Sequence, residues 1–82
     1  MKSVAGENTD LTFNSEKIHV QTEDWADNGH VIVSRIFKNG SVIKTFRLAY
    51  AKIAQVENDE VRKRALQKLH QYVIEKIHSN EI

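Results

Sequence analysis

VIVSRIFKNGSVIKTFRL, residues 31–48, is the stretch that decides the fold of this chain of 82 residues. Runs rich in β-branched and aromatic residues stand on both sides of an Asn-Gly pair, a pattern that predicts a β-hairpin. Asn39 and Gly40 form the expected corner because a two-residue hairpin turn needs positive φ at both central positions. Asn tolerates such angles and Gly adopts them without steric cost. The sequence therefore predicts antiparallel strands over residues 31–37 and 42–48.

Counting outward from the turn predicts which hairpin residues face each other. Lys38 pairs with Ser41, and Arg35 then lies opposite Lys44, a like-charge pair that is unfavourable unless an anion lies nearby. Side chains alternate between the two faces of a strand, so apolar side chains of this hairpin fall on both faces. A three-residue loop with a bulge at Gly40 would shift the pairing by one residue and leave both faces mixed. We therefore expect both faces to be covered.

Residues 59–79 form the strongest helical pattern of the chain, since they lack Gly and Pro and repeat apolar residues at helical spacing. On a helical wheel the apolar arc spans roughly 200°, wider than the stripe of about 100° that one contact surface needs. This width predicts that the helix contacts both its own sheet and a second copy of the chain. The candidate interface residues are Leu66, Leu69, Tyr72, Val73, Ile74 and Ile77.

The segment before this helix, residues 50–56, is also helix-like. On one continuous helix, however, Ile53 would lie among polar residues. A break near Asn58 removes the conflict, and Asn58 suits the N-cap position because its side chain can accept hydrogen bonds from free backbone amides. Asp59 and Glu60 would follow in the first turn, where negative charge is favourable. A kinked but continuous helix is the alternative.

Upstream of the hairpin, residues 16–22 alternate apolar and polar side chains and predict a half-buried strand. Trp25, in the loop of residues 23–29, is expected to plug the end of the sheet or to anchor an interface. Residues 1–15 predict a flexible N-terminal tail or a partner-dependent strand. Residues 16–82 predict a single small α+β domain: a three-stranded antiparallel β-meander followed by a long C-terminal amphipathic α-helix, with a short extra helix before it.

Chemical motifs are scarce. The chain has no cysteine, which excludes disulfides and thiolate metal sites. Asp24, Asp27 and Asn28 superficially suggest a calcium loop but lack the alternating ligands of an EF-hand, and the histidines lack zinc-site spacing. We expect no cofactor, no metal and no catalytic residue, although an active site assembled between two subunits stays open. No run is long enough to cross a bilayer, and the expected location is the cytoplasm.

Charge is unevenly distributed along the chain. Residues 1–29 carry a net charge of −4, residues 30–56 carry +5 without an acid, and residues 57–82 are neutral. The basic hairpin residues that could contact phosphate are Arg35, Lys38, Lys44 and Arg47. The alternative is that acids of the preceding strand and loop neutralise the hairpin.

These patterns lead to two functional hypotheses. The first is a non-catalytic homodimeric module for protein–protein interaction or assembly, whose partner is a second copy or another protein. Self-association fits because a core of this size supplies only about 3–5 kcal/mol. The second is a small nucleic-acid-binding protein that uses the basic hairpin, residues 30–47. A membrane partner is not expected.

Overall fold

The computed structural model describes residues 1–82 and shows a four-stranded antiparallel sheet with one C-terminal α-helix. The elements in chain order are β1 (Glu7–Phe13), β2 (Glu16–Trp25), β3 (Val31–Lys38), β4 (Ser41–Ala49), a 3-10 turn (Tyr50–Lys52) and α1 (Asp59–His78). Neighbouring strands in the sheet are also neighbours in the chain, so the sheet is a meander. The predicted α+β class is confirmed.

The sheet has four strands rather than the predicted three, because residues 7–13 form β1. This segment, predicted as a tail or a partner-dependent strand, pairs with β2 of the same chain. Asn14 and Ser15 make the connecting turn with φ of 52° and 65°, as a two-residue hairpin requires. β1 is an edge strand with two apolar side chains, Leu11 and Phe13. The alternation that marks a strand is therefore weak in its sequence.

Gly6 allows the segment before β1 to lie directly against β2. A Cβ atom on this residue would be 2.5 Å from the carbonyl oxygen of Thr22. Because no side-chain carbon tolerates so short a contact, glycine is required at this close approach of two backbones.

The Asn39-Gly40 turn forms where it was predicted. The two residues have φ of 54° and 79°, and Lys38 pairs with Ser41 across the turn. The local signal in the sequence was therefore sufficient to place this corner.

A β-bulge follows this turn and shifts the rest of the hairpin by one residue. Ile36 lies opposite Lys44, and Arg35 lies opposite Thr45. The predicted pair of Arg35 and Lys44 is therefore wrong. The extra residue is Ile43, one position beyond the pairs that the turn determines, so the shift does not arise at Gly40 as the alternative supposed.

Asn58 caps α1 as predicted. Its side-chain oxygen accepts hydrogen bonds from the backbone N–H groups of Glu60 at 3.0 Å and Val61 at 3.2 Å. The predicted extra helix before it is reduced to the 3-10 turn of Tyr50–Lys52, and Gln55 has a φ of 59°, which interrupts any helix. The predicted break before α1 is therefore confirmed.

α1 packs across one face of the sheet, closest to β2, and Phe46 and Leu48 of β4 pack against the same core. The buried hydrophobic residues form two clusters along α1. These are Val20, Ile36, Val73 and Ile77 in one, and Ala26, Ile32, Tyr50 and Leu66 in the other. No helix is long and apolar enough to cross a lipid bilayer. The opposite face of the sheet carries no further element of the chain.

Candidate functional site

The face of the sheet that α1 leaves free, hereafter the outer face, is the largest candidate surface. Side chains alternate along each strand, so this face holds every second residue of β1 to β4. Its centre is formed by β2 and β3. The central side chains are His19, Gln21, Trp25, Arg35 and Phe37, and Val33 is buried among the side chains of this face. A mixture of aromatic rings and arginine is typical of residues that dominate the energy of protein interfaces.

Trp25 belongs to β2 and not to a loop, because the strand continues three residues beyond its predicted end. It lies opposite Val31 on the outer face and is half-buried. Its indole N–H points toward Glu23 Oε1 at 3.5 Å. Trp25 therefore forms part of the sheet surface, where a partner could reach it.

Arg35 lies between two aromatic rings on this face. Its guanidinium carbon is 5.8 Å from the ring centroid of Trp25 and 5.6 Å from that of Phe37, within the range of cation–π attraction. Its Nη2 donates a hydrogen bond to Glu23 Oε1 at 2.6 Å. Its Nε is buried and has no hydrogen-bond partner. A buried N–H without an acceptor costs about 1–3 kcal/mol, so this atom is the least satisfied polar group of the outer face.

His19 forms the other polar contact of the outer face. Its Nδ1 is 2.7 Å from Asp10 Oδ1, and its ring lies 6.0 Å from the ring of Phe37. A histidine oriented by a carboxylate is part of many hydrolytic sites, but such sites also need a nucleophile next to the histidine. No hydroxyl group of the chain is hydrogen-bonded to His19, whose ring nitrogen contacts Asp10.

Asp24 and Arg62 form a buried ion pair on the opposite side of the sheet. Arg62 Nε donates to Asp24 Oδ2 at 2.8 Å, and both side chains are fully buried. The Tyr50 hydroxyl donates to Asp24 Oδ1, and the backbone N–H of Val4 donates to Oδ2 at 2.9 Å. Burial opposes ionisation of Asp24, but these hydrogen bonds outweigh it and hold the pKa of its carboxyl below the usual range.

The remaining N–H groups of Arg62 contact two further segments and the first residue of its own helix. Nη1 donates to the carbonyl of Val56 at 2.7 Å, and Nη2 donates to the carbonyl of Lys2 at 2.7 Å and to Asp59 Oδ1 at 2.9 Å. Burial and the Asp24 carboxylate raise the pKa of Tyr50, so its hydroxyl stays protonated and remains a donor. The network ties the N-terminal segment and the loop before α1 to the core, and its role is structural.

His70 is the second buried polar residue on the sheet side of α1. Its Nε2 is 2.8 Å from Thr9 Oγ1 and its Nδ1 is 2.7 Å from Thr22 Oγ1. The Thr22 hydroxyl is in turn 2.8 Å from Ser34 Oγ. Imidazole beside hydroxyl groups can serve catalysis, but Thr22 and Ser34 are fully buried and line none of the cavities. These contacts connect α1 to three strands, β1, β2 and β3.

The environment of His70 predicts how stability depends on pH. Burial lowers the pKa of His70 below 6.5, so below that pH the unfolded chain binds this proton more readily than the folded protein. The free energy of unfolding should therefore fall on acidification from about pH 7 to about pH 5, with the full contribution present above 6.5. Thermal unfolding across this range should show a flatter slope in His70→Gln than in the wild type. His78→Gln, at an exposed position, should keep the wild-type slope; equal slopes in all three proteins would contradict the prediction.

Neither Arg62 nor His70 was singled out from the sequence. A signal for both was present, because they occupy the same helical stripe as Leu66, Val73 and Ile77. A polar residue within an apolar stripe indicates a buried hydrogen-bonded group.

The helix residues predicted as a dimer interface do not share one surface. Three of them are buried in the core of the single chain: Leu66, Val73 and Ile77. Leu69 and Ile74 are half-buried at its margin. Tyr72 is 47 % exposed, and its ring contacts Phe46 of β4 edge-on at 6.1 Å between centroids. Packing within the chain thus accounts for most of the wide apolar arc, and Tyr72 is the one of the six that a partner could contact fully.

The basic residues predicted to contact phosphate do not converge either. Lys38 Nζ is 2.7 Å from Glu16 Oε2, and Arg35 is paired with Glu23. Both acids belong to β2. The acids of β2 therefore neutralise half of this set, which is the alternative that the sequence left open.

The other two residues of this set, Lys44 and Arg47, are exposed but project from opposite faces of β4. Lys44 Nζ lies 5.8 Å from the ring centroid of Phe46 on the helix side, whereas Arg47 lies opposite Val33 on the outer face. A single phosphate backbone could not contact all four residues at once.

No group of three or more potential metal ligands converges in the structure. Of the acids considered for calcium, Asp24 is taken up by Arg62 and Tyr50, and Asp27 Oδ1 is 3.7 Å from the N-terminal amine. The sequence-based comparison of Asp24 and Asp27 with a calcium loop therefore has no geometric counterpart.

Comparison of the chain with protein-family models, with curated proteins and with solved structures gives no match. A functional proposal therefore rests on the geometry of the outer face and on the charges around it.

Proposed function

We propose that this protein is a non-catalytic assembly module that forms a homodimer through its outer face. The observation that carries the proposal is Arg35, which lies between Trp25 and Phe37 with its Nε buried and without an acceptor. Trp and Arg are enriched among the residues that dominate interface energies. The Arg35 side chain is 29 % exposed, so an acceptor of a partner could bind the accessible part of its guanidinium group and stabilise the complex.

The size of the outer face determines how much of it a stable interface must cover. Its four strands, spaced about 4.8 Å apart and rising about 3.4 Å per residue, cover an area of roughly 15 by 25 Å. This is roughly 375 Å² of projected area before the relief of the side chains is added, and specific interfaces bury about 800 Å² of accessible surface per partner, so a stable dimer would have to cover the whole face.

A second copy of the chain is the partner that stability considerations favour. The core of one chain contains nine buried hydrophobic residues, and a core of such a small domain supplies only about 3–5 kcal/mol. Covering the apolar and aromatic side chains of the outer face would add to it. The lack of cysteine agrees with a reducing compartment, and the cytoplasm is the location that we propose.

The dimer is tested by placing an acid on each side of the molecule. Phe37→Glu introduces a charge on the outer face and should weaken dimerisation at least about tenfold, because the charge would be desolvated in the interface. Tyr72→Glu, the matched aromatic-to-acid control on α1, should leave the dimer intact. Light scattering over a dilution series at micromolar concentration measures both. A monomeric wild-type protein, or loss of the dimer in Tyr72→Glu alone, would contradict the proposal.

Nucleic-acid binding is the second candidate, and one observation favours it. The rings of His19, Trp25 and Phe37 lie on the central strands of an open sheet, where bases could stack. The net charge of only +1 and the ion pair of Arg35 with Glu23 make the electrostatic attraction weak. This candidate predicts binding of a fluorescent single-stranded oligonucleotide that weakens steeply with salt and is lost in Arg47→Ala. Absence of binding at low salt would exclude it.

A further inference from the structure

We infer that the two-fold axis of the dimer runs parallel to the strands, so that β2 of one copy covers β3 of the other and Gln21 of the partner subunit accepts a hydrogen bond from the guanidinium group of Arg35. This inference rests on the proposed homodimer. It goes further in specifying which surfaces of the two copies meet, and it follows from the layout of charge and from the register of β2 and β3.

Charges of opposite sign occupy different halves of the outer face. The acids, Asp10 and Glu23, lie on β1 and β2, whereas the arginines, Arg35 and Arg47, lie on β3 and β4. Lys17, at the hairpin end of β2, is the exception. A two-fold axis parallel to the strands exchanges the two halves, so each acidic half covers an arginine half. Opposite charges across an interface favour one orientation over others.

The competing orientation has its two-fold axis in the plane of the sheets but perpendicular to the strands. It places each strand over the same strand of the other copy, so Arg35 near the centre would approach Arg35 of the partner subunit. Like charges brought together in a desolvated interface are strongly unfavourable. The charge layout therefore selects the axis parallel to the strands.

The strand register then determines what reaches Arg35. Gln21 lies directly opposite Arg35 in the pairing of β2 with β3, so the two residues stand at one level along the strands. A two-fold rotation about an axis parallel to the strands leaves the position of a residue along the strand direction unchanged. It places β2 of one copy over β3 of the other. Gln21 of the partner subunit therefore comes to lie over Arg35, whose side chain is 29 % exposed, and its amide oxygen can accept a hydrogen bond from the guanidinium group.

The same rotation produces a second contact. His19 lies opposite Phe37 at the next level of the same strand pair. In the dimer, His19 of the partner subunit would therefore meet the Phe37 ring, and paired aromatic rings are favourable. Packed sheets are turned by about 30° relative to each other. This turn displaces the central positions least, because they lie near the centre of both sheets.

Cross-linking tests the axis, since the wild-type chain contains no cysteine. Asn8→Cys on β1 and Thr45→Cys on β4 stand at the same level of the outer face as Gln21 and Arg35. In the inferred dimer of one copy of each variant, the cysteine on β1 of one copy faces the cysteine on β4 of the other, across sheets about 10 Å apart. A mixture of the two variants should therefore be cross-linked by a short bis-maleimide. A sample of one variant alone should not be cross-linked. The two introduced cysteines of its dimer lie on different strand positions and are separated sideways by three strand spacings, about 14 Å, in addition to the distance between the sheets.

Each outcome of this experiment is informative. Cross-linking of each variant with itself would place the axis across the strands and overturn the inference while the homodimer stands. A dimer in light scattering without any cross-link would place the interface elsewhere and also overturn it. A wild-type protein that is monomeric in light scattering would overturn the homodimer itself.

A double-mutant cycle tests the hydrogen bond separately. Gln21→Ala and Arg35→Ala should each weaken dimerisation by about five- to tenfold, and the double variant should lose little more than either alone, since both remove one interaction. Asn8→Ala, at the margin of the outer face, is the control and should change the dissociation constant by less than about twofold. Losses that multiply in the double variant would show that the two residues do not contact each other.

Discussion

Arg62→Ala is expected to lower the free energy of unfolding by about 3–5 kcal/mol, as much as the about 3–5 kcal/mol that the core of so small a domain supplies. The substitution leaves the Asp24 carboxylate buried without its cation, and it removes the donors to the carbonyls of Lys2 and Val56. Chemical denaturation followed by circular dichroism measures the change. The thermal midpoint should fall with it.

Arg64→Ala is the matched control for this prediction. Arg64 is exposed on the same helix and makes no ion pair, so its removal should change stability by less than about 0.5 kcal/mol. Replacing both charges of the buried pair, as in Asp24→Leu with Arg62→Met, should recover part of the loss because no buried charge is left alone. Equal stability of Arg62→Ala and Arg64→Ala would show that the pair does not hold the fold.

Leu66→Ala is expected to cost about 2–5 kcal/mol, the range for truncating a large side chain in a core. Leu66 is fully buried against Ile32 and Tyr50, so its truncation leaves a cavity under the sheet. Denaturant unfolding measures the loss, and the dimer should persist wherever the variant is folded.

Tyr72→Ala is the counterpart of this substitution on the same helix. It removes the edge contact with Phe46 from an exposed position and should cost less than about 1 kcal/mol. Comparing the stability losses of Leu66→Ala and Tyr72→Ala distinguishes core residues from surface residues among the six residues that the sequence assigned to an interface. A large loss for Tyr72→Ala together with a small one for Leu66→Ala would contradict the assignment of Leu66 to the core.

Several elements could be predicted because their signals are local. The corner at Asn39-Gly40 depends on the φ angles of two adjacent residues, and the start of α1 depends on hydrogen bonds that Asn58 makes within the next three residues. The length of α1 and its helical character follow from apolar residues that recur at helical spacing over twenty residues. None of these features needs information from a distant part of the chain.

The candidate site was predicted only in part. Arg35 was named as a ligand-contacting residue, but on the grounds of a pairing with Lys44 that the bulge removes. Phe37 shares a strand face with Arg35 in any register because the two are two residues apart, but Trp25 could not be inferred as a neighbour while it was assigned to a loop. A one-residue change of register or strand length alters which side chains share a face, so small local errors displace a whole surface.

Two kinds of information therefore specify this protein. The sequence by itself determined the α+β class, the β3–β4 turn and the capped helix, because residues within a few positions of one another supply the energy. Only the tertiary structure decided that β1 joins the sheet, which distant groups Arg62 and His70 bind, and that one sheet face stays open. Those outcomes depend on contacts between residues far apart in the chain, such as Arg62 with Lys2 and His70 with Thr9. Periodicity and turn propensity do not encode such contacts.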